Sequence, residues 1–178
     1  NPPATSPDTL LYGGATTVAL DPGAAAALES LGVSVAAVPP ANAGKEGIGF
    51  PITFGLVSSD TLAGQVRHVG GLKLSAGDTK VYLTRFFIDI DDTPSLSGIV
   101  GVGQKSGDRA ELFALDLTGL KVEPGTRSIA LSGVTLKLTA GAAAALNGAF
   151  GTTAFTEGLV VGTATVRART LPAPDWGW

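Results

Sequence analysis

Residues 48–56 read IGFPITFGL, and no other stretch limits the possible folds as tightly. Ile48, Phe50, Ile52, Phe54 and Leu56 fall on one side of an extended chain, with Gly49, Pro51, Thr53 and Gly55 on the other. Strict alternation of this kind specifies a β-strand with one buried face. Pro51 has no N–H to give to a ladder, so the strand is expected at a sheet edge or broken by a bulge. If it is an edge, its apolar row of Ile48, Phe50, Ile52 and Phe54 is a candidate surface for pairing with a second copy.

More short strands follow. Residues 62–68 and 70–75 are close enough to form a hairpin or one bent strand. Residues 80–90 (KVYLTRFFIDI) are β-branched and aromatic, apolar on both sides near the centre, and read as a central strand covered on two sides. Asp91–Pro94 supplies a turn, 95–103 a strand and 104–108 a second turn. Residues 109–118 then place Glu111, Phe113, Leu115 and Leu117 on one side, and strands are expected over 126–138 and 159–169. Many short strands separated by glycine and proline turns predict a mainly β fold, an antiparallel sandwich or barrel. One domain is expected over 13–170, with extended proline-rich tails at 1–12 and 171–178. Trp176 and Trp178 in the second tail suit a docking contact, on this domain or on a second copy.

The block GAAAAL occurs twice, at 23–28 and 141–146, each time behind a short alternating stretch. Asp21 is a favourable helix N-cap, Pro22 suits the first helical position, and Gly32 is a natural stop. In the second copy Thr139 is the cap and residues 141–150 the helix, ending near Gly151. A duplicated strand–cap–helix corner is expected. Helices this short are marginal alone, so both must lean on the sheet, closing one end of it.

Composition excludes several functions. The net charge of −3, with twelve scattered basic residues, gives no case for nucleic acid or an anionic membrane. The chain has no Cys, which removes disulfides, thiolate metal sites and cysteine nucleophiles. No apolar run approaches the ~18 residues that span a bilayer. A start at Asn1-Pro2-Pro3 without Met fits a chain cut from a precursor or otherwise trimmed. Loss of a secretory leader is the commoner route, so a secreted or cell-surface location is expected.

Chemistry-bearing constellations are few. His68 is the single histidine, and no G-x-S-x-G elbow accompanies it, so a catalytic triad is not expected. Residues 101–107 (GVGQKSG) match neither phosphate-loop spacing and read as a hairpin turn. Asp89, Asp91 and Asp92 form one acidic cluster, able in principle to hold Ca²⁺ but better read as a polar turn. His68 reads as a strand-end imidazole bonded to backbone, with a haem or metal contact as the alternative.

His68-Val69-Gly70-Gly71-Leu72-Lys73-Leu74 fits an H-x-G-x-L-x-L pattern. Val134-Thr135-Leu136 with Leu138-Thr139-Ala140-Gly141-Ala142 fits a second, and Phe50-Pro51 precedes the histidine at a plausible distance. Over residues 48–166 the chain thereby resembles HtaA-type domains, secreted bacterial β modules that bind haem at the cell envelope. The resemblance implies a β fold and a haem contact at His68. In that family a tyrosine early in the domain ligates the iron. The corresponding stretch here, 26–32 (AALESLG), has none, and neither Tyr12 nor Tyr82 matches by position.

Taken together, the expectation is a non-enzymatic extracellular structural β module without a cofactor, self-assembling, even into filaments, through tail or edge-strand exchange. Haem or porphyrin binding of the HtaA type is the alternative, and carbohydrate adhesion a further one.

Overall fold

The computed structural model describes residues 7–172. Twelve strands and two helices run in the order β1 (Thr9–Leu20), α1 (Pro22–Ser30), β2 (Ser34–Val38), β3 (Asn42–Gly44), β4 (Gly47–Val57), β5 (Gly64–His68), β6 (Gly71–Ala76), β7 (Thr79–Ile90), β8 (Ser95–Val102), β9 (Lys105–Asp116), β10 (Lys121–Pro124), β11 (Ser128–Leu138), α2 (Ala140–Phe150) and β12 (Val160–Pro172). Pairing runs β7-β5-β4-β1-β12-β11-β9-β8, and β8 returns to β7. Eight antiparallel strands therefore close on themselves, so of the two expected architectures the chain adopts the barrel. Closure leaves the eight barrel strands without the open edges that a sandwich would have to protect, while β2, β3 and β10 each pair on one side among the described residues.

Its interior is filled by inward side chains from all eight strands, among them Leu11, Phe50, Val81, Phe86, Leu96, Leu115, Leu136 and Val166. Phe50 and Phe86 meet edge to face, with ring centroids 5.0 Å apart. Such pairs add ~0.5–1.5 kcal/mol to their area burial. A long strand, β7, splits its outer edge between two partners: residues 87–90 pair with β5, and 79–84 pair with β6. The segments expected as hairpin or bent strand are thus successive pieces along one edge of β7. Beyond β6 lies β2, which extends the wall on that side.

The edge expectation for β4 is corrected. That strand pairs with β1 on one side and β5 on the other, so Ile48, Phe50, Ile52 and Phe54 present no open edge for exchange. The bulge, the other option that Pro51 left, is what occurs: the β4–β5 register shifts between Ile52 and Phe54. One inserted residue moves every later side chain to the opposite face. Phe50 and Ile52 point inward, whereas Phe54 is 44% exposed and Val57 takes its place in the core. The same device alters β9, where a shift opposite Leu96 and Ser97 brings Leu112 inside and leaves Glu111 exposed. In β7 only one face is core. Its outward aromatic, Phe87, is covered by arginine side chains rather than by a second layer.

Thr9–Tyr12, read above as part of a tail, lie in β1, paired with β12 as far as Pro172. Trp176 and Trp178 lie outside the described residues.

The repeat has an architectural explanation. β1 and β11 both pair antiparallel to β12, one on each side, and so run in the same direction. Each leaves the barrel at the same mouth and turns into a helix there. Asp21 Oδ2 accepts hydrogen bonds from the Gly23 and Ala24 N–H groups, and Thr139 Oγ1 accepts one from Ala142 N–H. Gly151 ends α2 in the left-handed region, at φ 66°.

Candidate functional site

Alanine is the reason the mouth holds a space. Small side chains on α1 and α2 let the helices approach the rim, but they do not fill the volume beneath. The result is a cavity of about 80 Å³ between the two helices and the barrel, lined by Ala24, Ala27 and Leu28 from α1, Ala142 and Leu146 from α2, and Phe113 from β9, among others. Every lining residue is apolar. A void of this character excludes water and favours an apolar occupant. α1 covers it lightly, since Ala24 is the single buried residue of that helix.

Deeper in the barrel a smaller cavity, about 40 Å³, shares Leu20, Leu72, Phe113 and Val161 with the first and reaches His68 and Thr16. His68 ends β5 and is 3% exposed. Its Nδ1 lies 2.9 Å from the Phe86 carbonyl oxygen, which can only accept, so Nδ1 carries the proton. Nε2, 2.7 Å from Thr16 Oγ1, is left to accept from that hydroxyl. One imidazole thus ties β5 to β1 and β7. Burial pushes its pKa down to about 4, only partly opposed by the bond to Phe86, so the ring is neutral at ordinary pH.

This arrangement does not fit iron ligation. Both imidazole nitrogens are already committed, and His68 is too enclosed to present a lone pair to the mouth. Tyr12 and Tyr82 lie on β1 and β7 and line neither cavity. The side chains that line the mouth cavity are those of alanine, leucine, valine and phenylalanine, none of which can ligate a metal.

The other sequence-derived residues are not brought together. Asp89 accepts from Gln65 Nε2 at 2.7 Å, and Asp91 accepts from the Thr93 N–H at 2.9 Å, closing the turn before β8. Among the described residues no three acidic or histidine side chains converge as a metal site. Residues 101–107 form the β8–β9 hairpin, with Val102 opposite Lys105. Thr16 escaped the sequence reading although a signal exists. Two residues before Val18 in an alternating strand, it shares that inward face, where a hydroxyl needs a partner.

No family model and no curated protein matches the sequence. Solved structures do match the fold. The C-terminal domain of HtaA from Corynebacterium glutamicum superposes with a TM-score of 0.67 at 12% identity, over 94% of this chain and 100% of that one. A domain-swapped dimer of that domain's H434A variant gives 0.59 at 13% identity, over 85% and 94%. The heme-binding protein HtaB from the same organism gives 0.58 at 13% identity, over 92% and 96%. Among the described residues no helix is long and apolar enough to cross a membrane. An eight-stranded closed barrel with two helices on one mouth is thus a distant likeness of the HtaA C-terminal domain, alike in fold.

Proposed function

We propose that this chain is a non-enzymatic binding module that takes a flat apolar ligand of the porphyrin class between its two alanine helices and the barrel mouth. It holds the ligand by apolar contact, without an iron ligand of its own. The wholly apolar space beneath α1 and α2 carries this reading. HtaB, which shares the fold, is a heme-binding protein, and that supports the choice of porphyrin. The space must widen to admit a ring system, because pockets for such ligands run to ~300 Å³ or more. α1 is the element to move, since one buried alanine and small neighbours leave little contact to break. An envelope or extracellular location would suit a carrier of this kind.

Absorbance and fluorescence titrations with haemin and with metal-free protoporphyrin IX test the proposal. Both should bind with affinities within a few-fold of each other, and His68→Gln should bind both as well as the parent. Ala27→Phe, which projects a ring into the space, should weaken both at least tenfold. Failure of either porphyrin to bind refutes the reading, and binding of haemin alone, lost in His68→Gln, replaces it with ligation.

Self-association is a second reading, favoured by one observation. Among the described residues β2 pairs with β6 alone, which leaves one side of the segment SVAAV unpaired there. Sedimentation over a wide concentration range tests it, and a monomer throughout rejects it.

A further inference from the structure

The outer wall of the barrel, away from the mouth, gathers three arginines from three strands. Arg67 on β5 is directly opposite Phe87 on β7, and its guanidinium carbon lies 4.9 Å from the centroid of that ring. Arg109 on β9 reaches over from the other flank of β7 to 3.6 Å from the same centroid. Arg85 precedes them on β7, close enough that its charge is felt at Arg109. In a chain of net charge −3 with only six arginines, half of them share one patch of wall.

Their surroundings orient Arg67 and Arg109 without closing a salt bridge on either among the described residues. Arg67 Nε donates to Gln65 Oε1 at 2.8 Å, and Gln65 Nε2 donates in turn to Asp89. Arg109 Nη1 donates to Ser97 Oγ at 3.1 Å. Stacking on Phe87 fixes the planes of two guanidiniums. Among the described residues, the ion pairs join Lys137 to Asp116 and Arg167 to Glu46, so none of these three arginines has a carboxylate within 4.0 Å. Asp89 accepts from Gln65 while its charge still acts on Arg109, and Asp108, beside Arg109 in β9, and Glu111, opposite Ser97, are the other acids on this stretch. Asp89 attracts Arg109 more strongly than Arg67 or Arg85 singly repels it. The cluster nonetheless sets three guanidiniums beside that carboxylate, and no ion pair within 4.0 Å closes on any of them among the described residues, so donors remain for an added anion.

The backbone adds an independent sign. Arg85 sits at φ 55°, a region that long side chains seldom adopt. It occupies the β7 bulge, where the register with β8 shifts between Thr84 and Phe87, and its N–H donates to the Gly70 carbonyl. Bulges of this type re-aim a side chain, and strained positions of this type concentrate at ligand sites.

We infer that the Arg67–Arg85–Arg109 cluster on Phe87 is a binding site for a phosphate monoester. One carboxylate satisfies a single guanidinium fork, whereas three cations suit a dianion with three free oxygens. The site lies outside the barrel and is independent of the porphyrin reading.

Amide and arginine side-chain NMR on the whole protein tests it, with inorganic phosphate, methyl phosphate, dimethyl phosphate and acetate as probes at low and at physiological salt. Methyl phosphate and inorganic phosphate should give saturable shifts confined to residues 65–67, 85–89, 97–99 and 109. Dimethyl phosphate and acetate should bind at least tenfold more weakly. Arg109→Gln should lower phosphate affinity at least tenfold, and Arg67→Gln should do the same should the first variant fold poorly. Shifts that grow linearly and spread over the surface, acetate or the diester binding as tightly as the monoester, or full affinity in both variants would overturn the assignment.

Discussion

Acidification from pH 7 to pH 4 should remove a large part of this protein's stability, and one residue should account for it. His68 has an ordinary pKa of 6.5 and a folded-state value of about 4, set by burial. Between those values the unfolded chain takes up a proton that the folded chain refuses. Stability therefore rises with pH through this window: it is complete above about 6.5 and is lost progressively as pH falls toward 4. A full proton difference is worth ~1.4 kcal/mol per pH unit, so the loss is on the order of 3 kcal/mol. Against the ~5–15 kcal/mol of a typical domain that is readily measured. Two carboxylates act below this window. Asp116, hydrogen-bonded by Thr118 and then paired with Lys137, and Asp8, hydrogen-bonded by Ser59, are both held below the usual carboxylate value of 3.8. Their contributions fade only as pH drops below it. Urea unfolding at half-unit pH steps, for the parent and for His68→Gln, is the assay. Glutamine can span from Thr16 toward Phe86 but cannot titrate, so the variant should be less stable at pH 7 and nearly flat down to pH 4.5. Parallel curves for the two proteins would refute the assignment of a neutral, enclosed imidazole.

Three further outcomes follow from single contacts. His68→Ala leaves the buried Phe86 carbonyl without its donor and opens space beside Phe50, so a loss of about 3–5 kcal/mol at pH 7 is expected in chemical denaturation. Gly14→Ala should cost more than ~2 kcal/mol, since Gly14 sits at φ 84° in the β1 bulge and an added Cβ meets the Arg167 carbonyl; thermal melting checks it. Asp21→Ala and Thr139→Ala each remove a helix cap and should each cost ~1 kcal/mol. Thr139 should be the more costly, because its hydroxyl also donates to the Glu111 carbonyl at 2.7 Å.

Much of the strand content was readable because period-two alternation is local. Each of β4, β7, β11 and β12 falls where alternation and turn residues put it, whereas β9 begins at Lys105, inside the stretch read as a turn; both helices begin at the caps that composition suggests. What could not be read is which neighbour each strand would find. Pro51 advertised an interruption, but a bulge and an edge satisfy its missing N–H equally well, and only the partners decide. The face assignment failed for the same reason. Beyond the β4 bulge, Phe54 should have been core by strict alternation, and one extra residue turned it outward. Closure into a barrel depends on β7 meeting β8, a hairpin pairing that is local, and on β1 meeting β12, which joins the two ends of the chain and leaves no mark in either segment.

The site was legible in a different measure. His68 could be singled out because it is alone, and its backbone bond was a fair expectation, yet Thr16 and the Phe86 carbonyl come from strands 52 and 18 residues away. The two alanine blocks were conspicuous, and their meaning depends on β12. Flanked on both sides by the duplicated strands, it forces both helices to one mouth, and their smallness then leaves the apolar space that a larger residue would have filled. The histidine and the mouth therefore divide their tasks. The buried imidazole joins three strands beneath the cavity and keeps the wall rigid there, while the light cover of α1 leaves one element free to yield. On the proposed reading, a wall tied together by His68 and facing a helix with one buried residue would let a ligand enter without unfolding the barrel.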